Sequence, residues 1–150
     1  MARIRYPDFT AFMDKLVAAL AGSAELAAFC QDRYGKPLTL VCGVDPAVGV
    51  EEDAYPVCSL SLNDDSFSNT AGALNVIALE VASAVREEGA STIGGMEVKG
   101  GIVQAHQLRR LIIEAVMNGG LGKVEASGGV DELVLDPLFV AYSNITITAR

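Results

Sequence analysis

The C-terminal stretch sets the firmest constraint on what this chain can fold into. Over residues 138–148, Phe139, Ala141, Ile145 and Ile147 share one parity, and Tyr142, Asn144, Thr146 and Thr148 share the other. Successive side chains of a strand point to opposite faces, so this alternation predicts a strand with the two sets pointing opposite ways. Residues 102–118 obey a different period. Ala105, Leu108, Ile112, Ala115 and Val116 recur at three-four spacing, with Gln104, Gln107, Arg110 and Glu114 on the other side. That is an amphipathic helix, stopped by Asn118-Gly119-Gly120. Any fold for the chain must accommodate both periods.

The remaining segments are read the same way. Phe9, Phe12, Met13, Leu16, Val17 and Leu20 predict a helix over 8–21, capped by Asp8 and ended by Gly22 in the left-handed conformation. Ser23 offers a second cap, for a shorter helix over 24–33 that carries Leu26 and Phe29 and stops near Gly35 and Pro37. Leu38, Leu40, Cys42 and Val44 alternate as a strand, ended by Asp45-Pro46. A loop over 48–54 holds Glu51, Glu52 and Asp53. Residues 55–62 place Cys58, Leu60 and Leu62 on one strand face, with Pro56 at the strand's start or on an edge. Residues 63–66 are expected to turn. Two periods compete over 73–86. Ile77, Leu79, Val81 and Val85 share strand parity, while Leu74, Ile77, Ala78, Val81 and Val85 share a helical face. A long central strand is the preferred reading. The Gly-rich residues 89–101 suit a flexible hairpin or loop. Residues 124–126 are a weak strand, residues 127–129 a turn or loop, and residues 131–137 a further loop before the last strand. No internal repeat, low-complexity tract or dividing linker appears, so one domain over 1–150 is expected.

Composition narrows the function. The chain has 150 residues, 51% hydrophobic and 20% charged, which favours a folded domain over disorder. Its formal net charge of -8 argues against a protein built to grip a phosphate backbone. Cys30, Cys42 and Cys58 form no CxxC pair and sit among apolar neighbours, so all three are expected to be small buried hydrophobes in a reducing compartment. Arg3 and Arg5 are followed by Asp8, Asp14 and Lys15 rather than by a secretory core. No window approaches the apolar length of a membrane span, so a soluble protein is expected.

Chemistry-bearing motifs are scarce. His106 is the one histidine, and positions 102 and 110 are Ile and Arg, so no His pair at i and i+4 exists. The Gly pairs match neither a P-loop nor GxGxxG, and GxSxG is absent. The acidic runs Glu51-Glu52-Asp53, Asp64-Asp65 and Glu87-Glu88 read as solvated surface, because adjacent carboxylates in similar surroundings do not separate their pKa values. No catalytic, metal or cofactor site follows from these residues.

The order of segments carries a resemblance. An N-terminal amphipathic helix precedes Tyr55-Pro56-Val57-Cys58-Ser59-Leu60-Ser61-Leu62. An apolar stretch over 74–85 and the helix around Leu108-Arg109-Arg110-Leu111-Ile112 follow, and Phe139-Val140-Ala141-Tyr142-Ser143-Asn144-Ile145-Thr146-Ile147-Thr148 closes the chain. This pattern resembles the tail terminator and tail completion proteins of tailed phages and prophages over roughly residues 8–148, with longer segments at 89–101 and 131–137. The resemblance implies an α+β fold: an antiparallel or mixed sheet of about four to five strands with helices on one side. It implies a virion tail protein, assembled in the bacterial host's cytoplasm, that forms a homo-oligomeric ring, typically a hexamer, on the tail tube protein. The ring ends tube polymerisation and offers a joining surface to a head-completion or neck protein. It implies neither enzyme activity, cofactor nor membrane. DNA would pass through such a ring without specific binding, and Glu51, Glu52, Asp53, Asp64 and Asp65 are the candidate lumen residues that would repel it. Three other readings stand beside this one: a head-tail joining or other minor tail subunit, a small bacterial ligand-binding domain, and an enzyme with an unrecognised site around His106.

Overall fold

The computed structural model describes residues 9–66 and 75–149. The segment with two competing periods is a strand, and it lies at the centre of the fold. Numbered in chain order, β1 (Thr39–Cys42), β2 (Val57–Ser66), β3 (Asn75–Arg86), β6 (Lys123–Leu135) and β7 (Leu138–Ala149) form one sheet in the order β1-β2-β3-β7-β6. β1 runs parallel to β2, and every other pairing in this sheet is antiparallel, so the sheet is mixed. β3 is paired along its length by β7 and along most of it by β2. That leaves its backbone groups partners on both sides and its Val and Ile side chains a pleated surface to pack on.

Helices α1 (Phe9–Ala21), α2 (Ala24–Tyr34) and α3 (Ile102–Met117) all pack on one face. Ile77, Leu79, Val81 and Val85 of β3 join Phe139, Ala141, Ile145 and Ile147 of β7 beneath Ala105, Leu108, Ile112 and Val116 of α3. Leu16 and Leu20 of α1 and Leu26 and Cys30 of α2 complete this core. The fold is therefore α+β, with helices on one side of a sheet of five strands among the described residues, and the parity expected for β7 holds.

The opposite face has its own smaller core. A parallel pair needs a long crossover, and residues 43–56 supply it without a long helix, only the short 3-10 turn Glu52–Ala54. Tyr55, Ala47, Val50 and Ala54 pack on Val57, Ala82, Ala84, Leu138 and Val140. Side-chain bonds hold the segment down. Thr39 Oγ1 donates to the Ala54 carbonyl (2.6 Å), the Tyr55 hydroxyl donates to the Pro46 carbonyl, and the Ser59 hydroxyl donates to that of Val44. The small Ala82 and Ala84 let this crossover lie close to the sheet.

Several expectations need correction. Gly22 does not take a left-handed conformation; Gly35 does, with φ 70°, closing α2 through a bond from its N–H to the Gln31 carbonyl. Ser23 caps α2 as expected, accepting from Leu26 N at 3.2 Å. The cap assigned to Asp8 lies outside the described residues, as do Arg3, Arg5 and Leu74. Residues 63–66 do not turn: β2 continues through them after a register shift between Leu62 and Asp64, because β3 is long enough to keep pairing. Residues 127–129 and 131–135 are not loops. They belong to β6, which shifts register between Ser127 and Asp131 and turns at Asp136-Pro137. Cys42 is exposed at the end of the edge strand β1, whereas Cys30 and Cys58 are buried.

Candidate assembly surface

Residues 89–101 fold as a hairpin that belongs to neither core. Among the described residues, β4 (Ala90–Ile93) and β5 (Met96–Lys99) pair only with each other, turning on Gly94 (φ 58°) and Gly95 (φ 82°). Positive φ at both central residues matches the turn type that follows the twist of a two-residue hairpin, and only glycine adopts it without cost. Seven of the eight strand residues are exposed, Val98 being the buried one. The tip presents Ile93 at 51% exposure and Met96 at 62%. This hairpin is an arm with an exposed tip and a single buried strand side chain, Val98.

Among the described residues, the large sheet's outer strands β1 and β6 each have one side unpaired. β1 is short, four residues; β6 is thirteen residues long and exposes Val134 and Leu135 near its end. His106 of α3 reaches β6, where its Nε2 hydrogen-bonds Glu132 Oε1. So His106 bridges a helix to an edge strand, with both side chains partly exposed. Next to β1, on the helix-covered face, lies an apolar groove of about 590 Å³ bordered by Leu20, Leu26, Ala27, Pro37, Leu38 and Leu40.

A smaller, polar cleft of about 280 Å³ opens on the other face among Asp45, Ser59, Ser61, Glu80 and Tyr142. Burial raises the Tyr142 phenol pKa, and the nearby Asp45 and Glu80 charges add to the rise. The phenol therefore keeps its proton at neutral pH and can donate but not act as a base. The Asp45 carboxylate accepts from Ala47 N at 2.9 Å, so one of its roles is to fold the crossover. Among the described residues, no group of three or more His, Cys, Asp or Glu is placed to hold a metal ion, and no helix is long and apolar enough to cross a membrane.

The acidic candidates do not converge. Glu51, Glu52 and Asp53 are exposed on the crossover just before β2. Glu52 is already paired with Arg86 at 3.2 Å. Asp64 and Asp65 are placed by register alone, opposite Ala78 and Ile77 at the far end of β2. Asp64 lies seven steps along β2 from Val57, about 23 Å at the usual rise. The arm's exposed apolar tip was not singled out in the sequence. The available signal was Ile93-Gly94-Gly95-Met96, two glycines between alternating runs, which marks a hairpin but not how far it stands from the body. Compared with known proteins, the chain matches no family model and no curated sequence.

Proposed function

We propose that this chain is a structural subunit of a tailed phage or prophage that closes into a ring, expected to be a hexamer, on the end of the tail tube. The ring would end tube growth and present the surface met by a head-completion or neck protein. The single observation that carries the reading is the β4–β5 arm. An isolated two-stranded hairpin is marginal in water, and one that exposes Ile93 and Met96 at its tip suits docking against another subunit. The outer sides of β1 and β6, unpaired among the described residues, support the same reading, because head-to-tail contacts that close into a ring would cover edges that otherwise invite open-ended pairing. The α+β architecture, with helices on one face, agrees with what the resemblance implies. The reading assigns no catalytic step and no cofactor.

The test is native mass spectrometry and sedimentation of the purified chain, alone and with tail tubes. A discrete ring that co-sediments with tubes, and sits at their ends in electron micrographs, is the expected result. A particle that stays monomeric at high concentration and ignores tubes would sink the proposal. Binding to purified head portals instead of tubes would favour a neck or head-tail joining subunit.

The apolar groove beside β1 favours a second reading, a small ligand-binding domain. A stable monomer that retains an apolar small molecule in native mass spectra would select it.

A further inference from the structure

The arm has two feet, and one side chain grips both. Glu87 immediately follows β3, three positions before β4 begins at Ala90, and Gly100 immediately follows β5. From α3, with its amide oriented as its neighbours' donors and acceptors require, Gln104 donates through nitrogen to the Gly100 carbonyl at 2.7 Å and to Glu87 Oε2 at 3.2 Å. In that orientation its amide oxygen accepts from Arg33 Nη2 at 2.9 Å. Arg33, at the end of α2, also holds Glu87 Oε1 through Nε (2.9 Å) and Nη2 (2.8 Å). The Glu87 side chain is only 17% exposed, so its charge depends on these partners more than a surface carboxylate would. Between the feet, Gly100 N donates to the Gly89 carbonyl at 2.8 Å. The backbones are so close there that a Cβ at Gly100 would lie 2.8 Å from the same carbonyl oxygen.

We propose that Arg33, Glu87 and Gln104 form a latch that fixes the direction in which the β4–β5 arm leaves the body. Apart from Val98, the arm buries almost no side chain, so packing alone leaves it free to swing. The latch joins both feet to α2 and α3 and presents Ile93 and Met96 ready-aimed, which spares a docking contact the entropy of ordering the arm. What the arm meets rests on the ring reading; that the arm is latched does not. The three residues are positioning residues.

Hydrogen–deuterium exchange on the dilute, unassembled chain tests this. In Gln104→Ala and Arg33→Ala, amides of residues 90–93 and 96–99 are expected to exchange about tenfold faster, as loss of a charge-assisted bond at a locally opening element predicts. Exchange in β3 and β7 is expected to stay within about twofold of the parent, since global opening governs those strands. Unchanged exchange in the arm overturns the latch. So does an increase spread equally over β3 and β7, which would make the three residues general stabilisers. The measurement needs no ring, so its failure would leave the ring reading standing, and failure of ring formation would leave the latch standing.

Discussion

Gly101 shows how tightly single positions are specified. It precedes α3 and lies against the fully buried Phe139, where an added Cβ would fall 2.4 Å from Phe139 Cδ2. Gly101→Ala is therefore expected to cost about 1–3 kcal/mol through overpacking, seen as a lower urea midpoint with an unchanged slope. The thiols give a pH prediction. Burial pushes the Cys58 thiol from 9.0 up to about 12 and the Cys30 thiol from 9.0 up to about 11. The folded chain holds these protons more tightly than the unfolded chain does. Their contribution is complete below pH 9 and is lost as pH rises through the folded values, so stability measured by denaturant should fall across roughly pH 9–12. Replacing both by Ser or Ala should flatten that fall. A thiol reagent at neutral pH should label Cys42 in the folded protein, and Cys30 and Cys58 only on unfolding. Apolar neighbours in the sequence made all three look alike. Cys42 differs because it ends an edge strand, which sequence neighbours do not reveal.

At the scale of elements, the strongest periodic segments were legible and the irregular ones were not. β7 and α3 each bury a stripe their own sequence announces. β6 carries Gly128 and Gly129 and lacks a clean alternation, so it reads as loop. It is a strand because β7 offers it a full ladder, with a register shift absorbing the extra residues. The same holds for β2 beyond Leu62, which pairs because β3 continues. The link from α3 to β6 through His106 and Glu132 is half-exposed, so Glu132→Gln is expected to cost no more than about 1 kcal/mol in thermal unfolding. Ser23 caps α2 directly, and Ser23→Ala should cost about 1 kcal/mol, against only a few tenths for Ser23→Gly.

At the scale of the whole molecule, the predictions concern assembly. Ile93→Ser with Met96→Ser removes two exposed apolar groups from the arm tip and should leave the unfolding temperature unchanged. If the arm seals the ring, assembly should weaken roughly tenfold to hundredfold, as half to full burial of two such side chains implies; sedimentation across a concentration series measures this. If the chain closes into a ring and the exposed acids of the crossover face its lumen, Glu51→Lys with Asp53→Lys should leave ring size unaltered and raise DNA retention at low salt. Glu52 is left in place there because it holds Arg86. No rise in retention would return these acids to the role of solvated surface.

The sequence by itself determined the stripes that α3 and β7 turn to the helix-covered core, because periodicity is a local property. It did not show the second buried face, where Ala82, Ala84, Leu138 and Val140 pack. It also showed that no familiar catalytic or metal motif is written along the chain. Only the tertiary structure decided between strand and helix for β3, and only it showed that residues 43–56 cover the second face and that Gln104 reaches both ends of the glycine-rich hairpin. These are relations between segments far apart in the chain. The free energy that settles them comes from ladders and contacts shared across the sheet, which no local pattern encodes.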